Sequence, residues 1–108
     1  MKIKLDNHMT ETIIKMRKLA HMDWSCGTLH IAVCDGNLDD ENIEFCLREW
    51  YSLDRKEHDN PRYDKISEEQ KQLEWDLIQL LIVMSEEARY VCYWACENYD
   101  CLEVTDEN

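Results

Sequence analysis

The stretch Ser67-Glu-Glu-Gln-Lys-Gln-Leu73-Glu-Trp-Asp-Leu77-Ile-Gln-Leu-Leu81-Ile-Val-Met84-Ser85 decides the fold. Ser67 followed three residues later by Gln70 is a capping-box opening, which predicts a helix start. Leu73, Leu77, Leu80, Leu81 and Met84 then recur at three- and four-residue steps, and Ile78, Ile82 and Val83 widen the stripe. An apolar stripe this wide suits a helix covered on several sides, so this is the expected central helix. Ser85-Glu-Glu-Ala88 repeats the opening signal at once. The chain should turn a tight corner near Ser85 and begin another helix with Ala88, Val91, Cys92, Ala95 and Tyr99 inward.

Helical spacing continues toward the amino end. Asn37 or Asp39 can cap a helix that buries Ile43, Cys46, Leu47 and Trp50 and ends near Leu53, with Asp40, Glu41 and Glu44 favouring its positive end. Earlier, Asn7 or Thr10 can cap a helix reaching about Met22, with Met9, Ile13, Met16 and Ala20 on one face and Lys15, Arg17 and Lys18 on the other. Residues 28–34 are ambiguous: their β-branched content suits a short strand, yet Gly36 behind them suits a helix C-cap. A short helix is the preferred reading. The polar run 54–66 holds the only Pro and shows no period, which marks a loop, and the acidic tail from about 103 is expected to fray. With two Gly and one Pro in 108 residues, the expected fold is all-α, one compact bundle of about four to five helices in a single domain over 1–108.

Charge restricts the partners. The chain holds 12 Lys+Arg against 24 Asp+Glu, a net charge of −12. Direct contact with nucleic acid or an anionic membrane needs a basic surface, so neither is expected, and a basic protein is the partner that charge favours. The imbalance is local: residues 1–22 carry five bases and two acids, whereas 35–60 carry nine acids and three bases. The start Met1-Lys-Ile-Lys has no apolar segment after it, and no stretch approaches a membrane span, which leaves the cytoplasm as the expected location. There the six Cys are expected as reduced thiols, several of them buried as small hydrophobes.

Few constellations suggest chemistry. Cys26, His30 and Cys34 are four residues apart and share a face in helix or strand, so they offer three zinc ligands. The fourth would come from Cys92, Cys96 or Cys101; buried thiols and a hydrogen-bonded imidazole explain the same residues without metal. Cys92 and Cys96 form a second one-turn pair that core packing also explains. Nucleophilic thiol chemistry is disfavoured, because neighbouring carboxylates raise thiol pKa values. His30, Asp35, Asn37, Asp39 and Asp40 could surround a divalent cation, although the spacing is not that of an EF-hand. A left-handed Gly36 and a capping Asn37 or Asp39 account for most of them. Glu68, Glu69, Glu86 and Glu87 stand at helix starts, where they complement the dipole as solvated residues. No phosphate-binding glycine loop, Ser-His-Asp set or His-Glu-x-x-His motif occurs, so a non-enzymatic protein without a cofactor is expected.

The remaining features are aromatic and acidic. Tyr90, Tyr93, Trp94 and Trp75 fall off the centres of their inward stripes, so they either close the core or form a contact face, including one that pairs two copies of the chain. Asp39, Asp40, Glu41 and Glu44, with Asp54, Glu57 and Asp59 in the following loop, make the candidate footprint for a basic partner.

The stretch Leu29-His-Ile-Ala-Val-Cys-Asp-Gly-Asn-Leu-Asp-Asp-Glu-Asn-Ile-Glu-Phe-Cys46 resembles a pattern of small uncharacterised phage and prophage proteins. Met84-Ser85-Glu86-Glu87 followed by Arg89 resembles the break in their helical half. The likeness covers about residues 25–50 and 73–92 and departs at Cys34, where an acid is expected. It carries no function of its own. It implies a mobile-element origin, for which compact acidic proteins of the anti-CRISPR or anti-restriction kind, with carboxylates set into basic clefts of a host protein, are the model.

Overall fold

Two serines start the helices that organise the molecule. In this computed structural model, which describes residues 4–22, 28–55, 67–98 and 103–104, Ser67 Oγ accepts from the Gln70 amide and Ser85 Oγ from the Ala88 amide. The described elements run β1 (Lys4–Leu5), α1 (Asn7–Ala20), α2 (Thr28–Asp35), α3 (Asp40–Arg55), α4 (Glu68–Ile82), α5 (Glu86–Glu97) and β2 (Glu103–Val104). The fold is an all-α bundle of five helices, and α4 lies between α1 and α3 as its stripe requires. Leu77, Ile78 and Leu81 are fully buried there, and each contributes about 1.5–3 kcal/mol through its burial.

The stripe of α4 is narrower than its sequence implies. Leu80 is half-buried, while Ile82 is 41% and Val83 73% exposed. The reason is position: Ile82 ends the helix, Val83 is its C-cap, and the chain turns away toward Ser85 before a third neighbour can cover them. In α1 the cap is neither Asn7 nor Thr10 but Asp6, whose Oδ1 accepts from the Met9 amide at 2.7 Å. Thr12, Ile13, Met16 and Leu19 face inward. Ala20 is exposed, because the last helical residue overhangs the edge of the core. Buried Thr12 satisfies its hydroxyl on the His8 carbonyl one turn back.

Residues 28–34 are helical. The turn that follows uses Gly36 at φ +72°, and the Asn37 amide reaches back to the Ala32 carbonyl at 3.0 Å in the Schellman pattern. Asp39 then caps α3, its Oδ1 accepting from the Asn42 amide at 2.7 Å. The helix continues past Leu53 to Arg55. The acidic tail is not wholly free: Glu103–Val104 pairs in parallel with Lys4–Leu5, with Glu103 opposite Lys4 in register. Backbone groups that would otherwise bond only to water find partners there. The rest of the tail, Tyr99 and most of the 54–66 loop lie outside the described residues.

Candidate partner-binding face

The acidic footprint begins where α5 holds the α2–α3 junction. Arg89 is 3% exposed, yet its guanidinium is well supplied with acceptors. Nε donates to the Leu81 carbonyl at 2.8 Å, and Nη1 donates to the Leu38 carbonyl at 3.1 Å and to Asp40 Oδ1 at 2.6 Å. One turn earlier, Glu86 Oε1 accepts from the Asp40 amide at 2.8 Å. One turn later, the Tyr93 ring packs so closely on Gly36 that a Cβ there would stand 2.7 Å from it. Glu86, Arg89 and Tyr93 thus lie along one side of α5 and fasten residues 36–40. Glu86 is therefore more than a solvated dipole partner: it caps the neighbouring helix.

This arrangement divides the four carboxylates of the footprint. Asp39 is half-buried and committed to capping, and Asp40 shares its charge with Arg89. Glu41 and Glu44 are exposed on the outward arc of α3, together with Phe45, Arg48 and Tyr51. Phe45, the only Phe in the chain, is 45% exposed. It stands between two shallow depressions, a larger one of about 370 Å³ shared with Asp39, Glu41 and Arg48, and a smaller one shared with Glu49 and Ser52. Asp54 belongs to the last turn of α3, and Glu57 and Asp59 lie outside the described residues.

The metal candidates are only partly brought together. Cys34 Sγ lies 3.8 Å from His30 Nδ1, one turn apart on α2, while Cys26 lies outside the described residues. Burial lowers the His30 pKa and is the main cause raising that of Cys34, with Asp35 and Glu97 adding to it. Both shifts favour a neutral thiol and a neutral imidazole, not a thiolate–imidazolium pair. No group of three or more His, Cys, Asp or Glu able to hold a metal occurs among the described residues. Cys92 is fully buried and Cys96 half-buried, with their Sγ atoms 4.0 and 3.8 Å from the Met9 and Ile13 carbonyls. Burial, the largest cause, pushes these thiols up to about 12 and about 11, with Cys96 and then Asp6 adding to it for Cys92; Arg17 pulls the Cys96 value the other way and Glu97 raises it. Carboxylates are the smaller cause, so low thiol reactivity follows mainly from packing.

Two further features fall outside a stripe drawn through apolar residues alone. Glu74 is 3% exposed on α4, with Gln70 Nε2 donating to its Oε2 at 3.0 Å, and burial pushes its pKa up to about 7. Its spacing from Leu77, Ile78 and Leu81 places it on the inward face, which is the signal that could have found it. Arg89, three residues before Cys92, carried the same signal. Trp75 meets Trp50 at 4.5 Å between ring centroids, Tyr51 approaches both edge-on, and Trp50 Nε1 donates to the Lys71 carbonyl at 2.9 Å. Those aromatics close the end of the α3–α4 seam.

None of the described helices is long and apolar enough to cross a membrane. Comparison with protein-family models, with curated proteins and with solved structures found no match to the chain.

Proposed function

We propose that this chain is a non-enzymatic binding protein whose acidic α3 face docks on a basic, nucleic-acid-binding host protein and blocks it. The model for this action is a phage- or mobile-element-encoded inhibitor of the anti-CRISPR or anti-restriction type, acting in the host cytoplasm. The observation that carries the reading is the outward arc of α3, where Glu41 and Glu44 stand exposed beside an exposed Phe45. Carboxylates on such a face steer a protein toward Lys/Arg-lined clefts, and an aromatic residue among them supplies the apolar contact that steering alone lacks. The net charge of −12 adds a longer-range attraction toward a basic partner.

The test is capture of partners from host lysate by the full chain at low and high salt, repeated with Glu41→Lys/Glu44→Lys. A basic nucleic-acid-binding protein should be retained at low salt, released at high salt and lost from the variant. A partner that binds the variant with the same salt dependence rules out the α3 face.

A second reading, a zinc-stabilised domain, draws on the 3.8 Å between Cys34 Sγ and His30 Nδ1. Two ligands of one tetrahedral zinc stand about 3.6 Å apart at ordinary bond lengths. Elemental analysis of protein purified without chelator decides it, with one zinc per chain required.

A further inference from the structure

Where α3 passes the α4–α5 corner, a depression of about 260 Å³ opens, lined by Asp40, Ile43, Glu44, Leu47, Ile82 and Arg89. Its walls are aliphatic: Ile43 is buried, Leu47 half-buried and Ile82 41% exposed, with the more exposed Val83 next in the chain. Single exposed aliphatics are ordinary on protein surfaces. Here they face two carboxylates across a concave site. Asp40 is already paired with Arg89, whose side chain is 4% exposed, so the guanidinium closes the back of the site with its charge matched. Glu44 remains exposed at the rim. The corner also receives the carboxyl end of α4, whose Leu81 carbonyl is already met by Arg89 Nε.

An aliphatic bed ending at a carboxylate is complementary to one kind of side chain, a methylene stem that ends in a cation. We infer that this corner receives a lysine side chain of the partner, with its stem against Leu47 and Ile82 and its ammonium at Glu44. The inference rests on the reading that α3 meets a basic protein, and it names the chemistry recognised there. A second copy of this chain paired α3 to α3 is a poor occupant, because like carboxylates would meet Asp40 and Glu44.

The experiment is an NMR titration of the full chain, labelled with nitrogen-15, using three probes: Nα-acetyl-lysine methylamide, the norleucine analogue that keeps the stem without the charge, and methylammonium. The lysine probe should shift amides at 43–47 and 80–84. The other two should bind there about tenfold more weakly, because each lacks one half of the recognition. Glu44→Gln, a change at an exposed position, should weaken the lysine probe by about two- to fivefold. Ile82→Ala should weaken it by a similar factor through lost stem contact. Equal shifts with methylammonium, or shifts spread over every acidic surface, would show only general ion screening and overturn the inference. Selective lysine binding without any basic partner in lysate would keep this site and remove the inhibitor reading. A salt-released partner indifferent to both substitutions would do the reverse.

Discussion

Replacing Glu74 with Gln should stabilise the protein, by an amount that grows with pH. The carboxyl is buried against the α3–α4 seam, where its hydrogen bond from Gln70 opposes the desolvation without cancelling it. Across the seam its charge acts on Cys46, whose thiol is pushed up to about 12 by burial first and then by Glu74 and Glu49, so this neighbour is neutral and supplies no counter-charge. Burial raises the Glu74 pKa from 4.5 to about 7 in the folded state. The folded chain therefore holds this proton more tightly than the unfolded chain. Stability from the neutral carboxyl is complete below about pH 4.5, falls as pH rises, and is lost by the time pH has passed about 7. The full loss is about 3 kcal/mol at 1.36 kcal/mol per pKa unit, and about 2.5 kcal/mol of it falls between pH 5 and 8. A Gln at this position can accept the same bond and never ionises. Urea unfolding followed by circular dichroism, at about pH 5 and about pH 8, should show the variant's advantage growing by about that amount, because the other titrating groups are common to both proteins. An advantage of the same size at both values would refute the argument.

Arg89→Met should cost about 2–4 kcal/mol, since it leaves the buried Leu38 carbonyl without its guanidinium donor and takes one donor from the Leu81 carbonyl, whereas Asp40→Asn should cost under about 1 kcal/mol because that carboxylate is mostly solvated. Urea midpoints of the two variants check the contrast, and equal losses would assign the stability to the ion pair instead. Gly36→Ala should be destabilising by more than the roughly 1–2 kcal/mol of its left-handed backbone, because the new Cβ meets the Tyr93 ring. Adding Tyr93→Ala should recover the steric part, and a double-mutant cycle without coupling would remove the clash from the explanation. Brief alkylation of the native protein, mapped by peptide mass, should mark Cys34 ahead of Cys46, Cys92 and Cys96, which are more buried and whose pKa values lie at about 11 to 12. Equal labelling of all four would mean that the bundle opens readily.

The helices were legible because their signals are local. Ser67, Ser85 and Gly36 each act through backbone within four residues, so their roles follow from composition and spacing alone. Residues 28–34 resolved as helix because the Gly36 turn outweighs β-branched propensity in so short a segment. What sequence could not give was the division of labour among like residues. Asp39, Asp40, Glu41 and Glu44 read as one acidic footprint, yet the first caps, the second pairs with Arg89 and the last two face outward. The cap at Asp39 follows a local rule, but the pairing of Asp40 is made by α5, some 50 residues later, and no local rule contains it. Glu74 and Arg89 escaped for a related reason: a charge at an inward position reads as an exception until its partners are known.

Glu86 and Arg89 reach the 38–40 segment across 46 to 51 residues of chain. A nascent chain that has not yet delivered α5 from the ribosome carries every carboxylate of α3 but lacks the guanidinium that holds Asp40. Closures over such distances form late, because the entropy of the intervening loop must be overcome first. The junction at 38–40 is consequently fastened only after α5 has been made and packed, so the start of α3 is a late-forming part of the bundle.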